Sequence, residues 1–350
     1  MKKFLCVLVT LCLCFLATAC GSSESLQTVE ETEDKVVVGF SQLGAESDWR
    51  CANTESMKAA FTEDNGYELI FDDAQQKREN QIKAIRNFIQ QEVDYIVLAP
   101  VTETGWDTVL TEVKEAGIPV IVVDRMVDVA DESLYTCFVG SDFELEGKKA
   151  AAWLHEYTKE KGIAPEDVHI VNIQGTIGAT AQIGRTKGLS EAVEEYGWDL
   201  MAEVSGEYTK AKGREVMEEL LKTYSNINVV YCENDNEAFG AIEAIEAAGK
   251  KVGGNIAGGE IMVMSFDAVS EAMGYALEGK ITCVTECNPL HGPRVKGIIE
   301  TLEAGGVPEK MSYASEGIFA SDDTVKKITV EGTGYDVTVV TQELLRNRAY

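Results

Sequence analysis

Short apolar runs alternate along this chain with longer stretches in which apolar residues recur every three or four positions. The runs at 36–40 and 95–99 are apolar throughout, as expected for strands buried on both faces of a sheet. The stretch 79–91 follows the helical period and places Phe88 and its isoleucines on one stripe. The pattern therefore predicts strands that are each followed by a helix.

This alternation continues to residue 304 in two successive series. The predicted strands are 36–40, 68–72, 95–99, 120–124, 136–140, 169–174, 200–205, 229–232, 262–266 and 282–286. The predicted helices are 51–62, 79–91, 106–116, 144–161, 179–196, 210–224, 235–248, 269–277 and 293–304. Such alternation forms parallel sheets with helices on both faces. Because each series suffices for one domain, we predict an α/β chain with two similar doubly wound lobes.

The beginning of the chain has the layout of a targeting segment. Lys2 and Lys3 precede the apolar run 4–16, which is short for a bilayer span and is followed by small residues. We therefore expect residues 1–19 to be a secretory signal peptide. The small residues before Cys20 resemble a bacterial lipoprotein processing site, and this resemblance implies that Cys20 is lipidated. The alternative is an ordinary cleaved signal with an incidental cysteine.

Residues 20–35 are expected to form a flexible tether behind that cysteine. The segment is rich in Ser, Thr and Glu, so it cannot bury enough apolar surface to fold. No later stretch is long and apolar enough for a transmembrane helix. We expect an extracytoplasmic protein that is attached to the cell membrane only through its lipid anchor.

The chain is strongly acidic, with a formal net charge of −28. A protein of this charge repels the phosphates of nucleic acids, so we expect no nucleic-acid partner. The ligand is also not expected to be an anion attracted by the overall field of the protein.

Cysteine and histidine spacing gives no indication of a metal site. Five cysteines lie beyond residue 20, an odd number without close pairs of metal-ligand spacing. Cys283 and Cys287 lie four residues apart on a predicted strand, too far for a disulfide if that strand is extended. We expect these cysteines to act mainly as small buried hydrophobic residues, and we expect neither a metal nor a cofactor.

Polar and aromatic residues cluster just after the predicted strands. They are Ser41, Gln42, Glu46, Trp49, Arg50, Asp124, Arg125, Glu233, Asn234, Asp267, Glu286 and Asn288. Ligands of open α/β sheets bind beyond the carboxyl ends of the strands. Because these residues come from both series, they predict a binding cleft between the two lobes.

Seven segments between residues 38 and 235 carry a family resemblance. They are VGFSQLGAESDWR (38–50), QQKRENQIKAIRNFI (75–89), APVTETGW (99–106), DR (124–125), QGTIGATAQIGRTKG (174–188), GEYTKAKGREVME (206–218) and END (233–235). The chain resembles the ribose/galactose-type sugar-binding proteins of ABC transporters, and within that family the galactofuranose-binding proteins. The similarity covers residues 36 to about 308, whereas 312–350 match only loosely.

The resemblance implies a periplasmic-binding-protein fold, in which two Rossmann-like lobes are joined by a three-segment hinge. The three crossings are expected near 140–142, 287–289 and 317–321. The amino-terminal lobe would comprise 36–140 plus 289–318, and the carboxyl-terminal lobe 141–287 plus 319–350.

The resemblance also implies roles for single residues. Trp49 would stack on the C–H face of a sugar. Arg50, Asp124 and Arg125 would bind hydroxyls, because guanidinium groups donate and carboxylates accept hydrogen bonds. The ligand-binding residues expected from the second lobe are Arg185, Tyr208, Asn234 and Asp267. Further candidates are Ser41, Gln42, Glu46, Glu286 and Asn288, of which Glu286 could belong to the hinge instead.

Structural explanations compete with these roles. Trp49 could cover the first helix, and Asp124 could form an ion pair that only orders a strand end. Arg185 could be a solvated helix arginine, and Tyr208 a surface residue. Asn234 and Asp267 are also common turn formers.

These features together imply an extracytoplasmic solute-binding lipoprotein without catalytic residues. By the resemblance, it would capture a monosaccharide by hinge closure, with a galactofuranose-like hexose favoured, and deliver it to an ABC permease. We expect it to act as a monomer. One alternative is a sensor that presents its ligand-bound state to a signalling receptor. Another is a sugar-processing enzyme with Asp124 and Asp267 as paired carboxylates.

Overall fold

The apolar runs form the central strands of two sheets in the computed structural model, which describes residues 35–350. The strands are β1 (Val36–Gln42), β2 (Tyr67–Asp73), β3 (Tyr95–Leu98), β4 (Val120–Val123), β5 (Cys137–Gly140), β6 (His169–Gln174), β7 (Asp199–Ser205), β8 (Val229–Cys232), β9 (Met262–Asp267), β10 (Cys283–Glu286), β11 (Met311–Tyr313), β12 (Ile318–Ala320), β13 (Lys327–Val330) and β14 (Thr333–Val339). The fold predicted from the alternating pattern, with two doubly wound α/β lobes, is confirmed.

Helices follow most strands of the two series. They are α1 (Asp48–Ala60), α2 (Arg78–Gln90), α3 (Asp107–Ala116), α4 (Phe143–Glu160), α5 (Thr180–Tyr196), α6 (Lys210–Thr223), α7 (Asp235–Ala247), α8 (Ser270–Leu277), α9 (Gly292–Glu303) and α10 (Gln342–Arg346). In the part of the chain that is described, none of them is long and apolar enough to cross a membrane.

The start of α1 differs from the sequence expectation. The helix begins three residues earlier than the predicted position 51 because Ser47 is its N-cap, and the Ser47 side chain accepts a hydrogen bond from the Arg50 main-chain N–H. Trp49 and Arg50 therefore lie on the first turn of a helix and not in the loop before it. This placement gives both side chains a rigid base.

The first sheet has the strand order β11-β5-β4-β3-β1-β2, and all its pairs are parallel. Apolar residues of α2 and α3 pack on one face, together with Ile96 and Val122 of the strands. Apolar residues of α1 and α9 pack on the other face, where Val97 and Ile121 contribute. Burial on both faces explains why these strands are continuous apolar runs.

The second sheet has the strand order β13-β14-β12-β10-β9-β8-β6-β7. Its central strands are parallel, whereas β12 pairs antiparallel with β10, and β13 with β14. Apolar residues of α6, α7 and α8 cover one face, and those of α4 and α5 cover the other. The strands β11 to β14 and α10 lie in the region that the sequence pattern left unassigned.

The chain crosses between the sheets three times. Residues 141–142 lead from β5 to α4, residues 287–291 lead from β10 to α9, and residues 314–317 lead from β11 to β12. The third crossing lies slightly before the expected 317–321. Residue 318 already belongs to the second sheet, because β12 pairs there with β10, whereas the sequence expectation placed it in the first lobe.

Candidate binding cleft

Strand ends and helix starts from both lobes enclose a small cavity. Its lining residues are Glu46, Ser47, Trp49, Arg50, Asp124, Arg125, Phe143, Ala181, Arg185, Tyr208, Asn234, Asp267 and Cys287. The lining is almost excluded from solvent, since Arg50 and Arg185 are only 3% and 2% exposed. The lobes are therefore closed around the cavity.

The first-lobe wall is an ion-paired network at the ends of β1 and β4. The Arg50 Nη2 lies 2.5 Å from the Asp124 Oδ2, and the Arg50 Nε donates to the Glu46 Oε1 at 3.1 Å. Burial opposes the charge on Arg50, but the carboxylates of Asp124 and Glu46 outweigh it and raise the Arg50 pKa. Burial alone would raise the pKa of Asp124. The neighbouring guanidinium groups of Arg50 and Arg125 have a larger effect in the opposite direction, so the net Asp124 pKa is lowered.

Trp49 joins this wall to the hinge. Its indole N–H donates to the Cys287 carbonyl at 2.7 Å, and the Arg50 guanidinium lies 4.6 Å from the centre of its ring. The side chain is 3% exposed. These contacts fix the orientation of an aromatic surface along the cavity.

Arg185 is the centre of the second-lobe wall. It projects from α5, and its Nε donates to the Glu146 Oε2 at 2.8 Å while its Nη2 donates to the Asp267 Oδ1 at 3.2 Å. A further hydrogen bond runs to the Glu233 carbonyl. Burial alone would lower the Arg185 pKa. The carboxylates of Glu146 and Asp267 outweigh this effect, so the net pKa is raised well above its usual value. Burial raises the pKa of Asp267 to about 6.

Asn234 and Tyr208 complete this wall through contacts with each other. Asn234 is the N-cap of α7, where its Oδ1 accepts from the Glu237 N–H at 2.8 Å. Its Nδ2 donates to the Tyr208 carbonyl at 3.1 Å. The Tyr208 ring lies under the Arg125 guanidinium of the other lobe, at 5.3 Å from the ring centre. The two walls are thus in direct contact.

Backbone strain accompanies these positions. Asp124, Tyr208 and Asp267 have positive backbone φ values of 64°, 60° and 98°. Residues other than glycine rarely adopt such values. Such strain persists only where the surroundings hold it, and it concentrates at functional sites.

The wall carries balanced charge. Three arginines (Arg50, Arg125, Arg185) and three acids (Glu46, Asp124, Asp267) line the cavity. A ligand with net charge would meet repulsion from one of the two sets, so the balance favours a neutral ligand.

Several buried polar atoms of the lining have no hydrogen-bond partner among residues 35–350. They are the Glu46 Oε2, Arg50 Nη1, Arg125 Nε and Tyr208 hydroxyl. Two of them only donate, one only accepts and one does both. A hydroxyl group can serve either kind, so a ligand with several hydroxyls would satisfy this set.

Nine of the thirteen candidate residues predicted from sequence lie on the cavity, and Ser41, Gln42, Glu286 and Asn288 do not. The Gln42 Nε2 donates to Asn53 and Thr54 of α1, whereas Ser41 accepts from Gln81 of α2. Both residues are still within β1, so their side chains point into the helix layers on opposite faces and not off the strand end.

Glu286 and Asn288 belong to the hinge. The Glu286 Oε2 accepts from the Gly317 N–H at 2.8 Å. The Asn288 Oδ1 accepts from the Leu290 N–H at 2.9 Å and shapes a turn. The Glu286 Oε1 is used by Arg348 and Tyr350 near the end of the chain, and neither side chain lines the cavity.

Four lining residues were missed by the sequence reasoning: Ser47, Phe143, Ala181 and Cys287. Phe143 is the first residue of α4, directly after the first crossing, and its ring lies 5.4 Å from the Arg185 guanidinium. Its position beside an expected hinge segment was the available signal. Nothing in the local pattern indicates the roles of Ala181 and Cys287.

Glu316 connects the three crossings behind the cavity. Its Oε1 accepts from the Ser141 hydroxyl at 2.5 Å and from the Asn288 N–H at 2.7 Å. Burial raises its pKa to about 7. Glu146 and Cys287 bring further polar atoms within 4.8 Å of it, and the Glu146 carboxylate is held by the Arg185 guanidinium at 2.8 Å. The cluster therefore serves as a polar core of the hinge.

The chain is similar to proteins of one family over most of its length. The periplasmic binding protein domain model matches residues 38–291. The galactofuranose-binding protein YtfQ of Escherichia coli K12 is 39% identical over 298 residues, which make up 84% of this chain and 90% of that protein.

Two solved structures show the same relationship. A structure from Mycobacterium smegmatis in complex with β-D-fucofuranose aligns with a TM-score of 0.77 at 41% identity, over 83% of this chain and 92% of that chain. The periplasmic binding component of the arabinose ABC transporter from Shewanella sp. ANA-3, bound to α- and β-L-arabinofuranose, aligns with a TM-score of 0.76 at 39% identity, over 82% and 93%.

Proposed function

We propose a transport function for this chain, which belongs to the periplasmic binding protein family. The proposal is that it captures a monosaccharide outside the cytoplasm, in the furanose form of a galactose-like hexose, and delivers it to an ABC permease. The observation that carries the proposal is the charge-balanced, buried wall whose unpartnered donors and acceptors lie beside the Trp49 indole. Such a wall suits an uncharged ligand with hydroxyls on its edges and C–H groups on one face.

The relatives support a furanose in particular. The ligands of the two structures are β-D-fucofuranose and α- and β-L-arabinofuranose, and the Escherichia coli relative is a galactofuranose-binding protein. Single hydroxyl contacts decide between such sugars, because a ligand that lacks one leaves a buried polar group unpaired.

Hinge closure is the proposed mechanism of capture. Contacts join the lobes on both sides of the cavity: the Asn236 Nδ2 donates to the Asp48 Oδ2 at 3.0 Å, and the Met126 N–H donates to the Thr180 hydroxyl at 2.8 Å. A sugar held by both walls favours the closed form, because the open form offers only one wall. A permease would then recognise the closed surface.

The proposed anchor lies outside the described residues. Residues 1–19 are proposed to be a signal peptide, with Cys20 lipidated and 20–35 acting as the tether. Under this proposal the binding domain is a monomer held at the outer face of the cell membrane.

The test is a binding screen of the purified protein by thermal shift and calorimetry. We expect stabilisation by D-galactose, L-arabinose or a related monosaccharide, at about 2.7 kcal/mol for a hundredfold excess over Kd, with the sugar recovered unchanged. Failure of every monosaccharide to bind would overturn the proposal.

Trp49→Ala is the matching variant. We expect it to weaken sugar binding by 2 kcal/mol or more, about 30-fold, since it removes a buried aromatic from the wall. The control is Trp198→Ala, which removes a buried tryptophan that packs against Tyr196, away from the cavity. The control variant should be less stable but should retain the sugar affinity. Equal sugar affinities of the Trp49→Ala and Trp198→Ala variants would show that Trp49 is not part of the binding site.

A further inference from the structure

A strained turn carries one carboxylate of the cavity wall. Asp267 and the following Ala268 both have positive φ, at 98° and 64°, and here they form the 267–268 turn. Two consecutive residues with a Cβ rarely adopt this conformation. The turn is therefore expected to relax unless surrounding contacts hold it.

The last two polar residues of the chain supply such contacts. The Arg348 Nε donates to the Ala268 carbonyl at 2.7 Å. The Tyr350 main-chain oxygen accepts from the N–H and hydroxyl of Ser270, at 2.7 and 2.5 Å. Together these hydrogen bonds hold the turn from its outer side, opposite the cavity.

Glu286 links the same two residues to the hinge. Its Oε1 lies 2.8 Å from the Arg348 Nη1 and accepts from the Tyr350 hydroxyl at 2.8 Å. Its backbone is paired with Asp267 in the register of β9 and β10. The Glu286 Oε2 holds the Gly317 N–H of the third crossing. The turn, the tail and the hinge thus share one partly buried acid.

We infer that Arg348 and Tyr350 are positioning residues for the proposed sugar site. Neither lines the cavity; they hold the 267–268 turn so that the Asp267 carboxylate faces the cavity beside Arg185. This inference rests on the proposed function for its effect on sugar affinity, and on the structure alone for its effect on the turn.

The first experiment compares two arginines of the same tail by calorimetry with D-galactose and L-arabinose. Arg348→Ala is expected to lower the affinity at least tenfold. Arg346→Ala is the control, because Arg346 is exposed and, among residues 35–350, its side chain donates only to the Gln342 carbonyl of its own helix. It should leave the affinity unchanged. Equal affinities of Arg348→Ala and the wild type would overturn the inference.

Two double variants separate positioning from general stability. Ala268→Gly is expected to restore most of the affinity of Arg348→Ala, because glycine adopts positive φ without strain. In an Asp267→Asn background, Arg348→Ala should cost at most about threefold, because the group that it positions has already been altered. A tenfold loss that persists in both backgrounds would show that the tail acts on stability alone and would overturn the inference.

Hydrogen exchange of the sugar-free protein gives a reading that needs no ligand. In Arg348→Ala, the amides of residues 267–270 should exchange at least tenfold faster than in the wild type and in Arg346→Ala. If no sugar binds to the wild type, the proposed function fails, and this measurement still decides whether the tail holds the turn. Unchanged exchange in Arg348→Ala would overturn the inference.

Discussion

Asp124 illustrates how a single residue serves both the fold and the site. It is 4% exposed, has a φ of 64°, and accepts from Arg50 while lying on the cavity. A buried guanidinium that loses its carboxylate partner is strongly unfavourable. The side chain therefore has two simultaneous tasks, which a substitution cannot separate by stability measurements alone.

Asp124→Asn is expected to lower the free energy of unfolding by about 3 kcal/mol, because it leaves the charge of Arg50 incompletely compensated in a buried place. It should also weaken sugar binding, since the amide nitrogen donates where the carboxylate accepts. Urea denaturation and calorimetry measure the two effects. Asp128→Asn is the control at an exposed position of the same lobe, where a change within about 0.5 kcal/mol is expected. A fully stable Asp124→Asn protein would contradict the assigned ion pair.

The pair of helices α4 and α5 shows how elements position the second wall. A Cβ on Gly188 would lie 2.6 Å from the Gly147 carbonyl carbon, and a Cβ on Gly147 would lie 2.8 Å from the Arg185 carbonyl oxygen. The helix backbones therefore approach closely only because these residues are glycines. That approach brings Arg185 of α5 to Glu146 of α4.

Gly188→Ala is expected to separate the two helices, to destabilise the protein by about 1–3 kcal/mol, and to weaken sugar binding through displacement of Arg185. Gly274→Ala in α8 is the matched control, because a Cβ there meets no atom of the described residues within 4 Å. That control should raise stability by up to about 1 kcal/mol, since alanine favours a helix interior over glycine. Thermal unfolding and calorimetry of both variants measure these effects; equal behaviour would contradict the close-packing account.

The closed arrangement of the whole molecule can be probed away from the cavity. The side chain of Asn236 exchanges hydrogen bonds with Asp48 of the other lobe, accepting from its N–H at 3.1 Å and donating to its carboxylate. Asn236→Ala should lower sugar affinity by about 3- to 10-fold without touching the cavity, because it removes about 1 kcal/mol from the closed form only. The exposed Asn226 provides the control variant Asn226→Ala. Calorimetry that finds no difference would argue against closure as the basis of affinity.

Buried acids also make the stability of the whole molecule depend on pH. Burial raises the pKa of Glu233 and of Glu316 to about 7, and that of Asp267 to about 6. The folded protein therefore binds protons at a higher pH than the unfolded chain, and the stabilisation is lost as pH rises through 6 to 7. Burial lowers the pKa of His291 to about 4, so this residue opposes the trend below about 6.5.

We expect the melting temperature of the sugar-free protein to be higher at pH 5.5 than at pH 8, because three raised carboxyl pKa values outweigh one lowered imidazole pKa. Differential scanning calorimetry at several pH values measures the slope. Glu233→Gln should flatten it, since glutamine has the same shape and does not titrate. A melting temperature that falls between pH 8 and 5.5 would contradict the assigned pKa shifts.

The local sequence pattern predicted most helices and strands, but it did not predict the short strands near the end of the chain. Strands such as β3 and β4 are continuous apolar runs because they are buried on both faces, so their sequence alone reveals them. The antiparallel addition of β12 and the β13–β14 pair was not predicted, since short strands at the end of a chain owe their conformation to the sheet that they join. The predicted start of α1 was three residues too late, because the Ser47 side chain caps the helix at an earlier position than the hydrophobic pattern indicates.

The sequence pattern by itself determined the two α/β lobes and the strand-end residues of the cavity wall, because periodic burial and strand-end chemistry are local properties of the chain. Arg185 and Tyr208 were expected only from the family resemblance. The tertiary structure decided the rest. In the folded protein, the side chains of Ser41 and Gln42 point into the helix layers. Glu286 contacts the hinge, and Cys287 lines the cavity. The tertiary structure also placed Arg348 behind Asp267, 81 positions earlier in the chain. Contacts between such distant positions depend on how whole elements pack, and no local pattern records them.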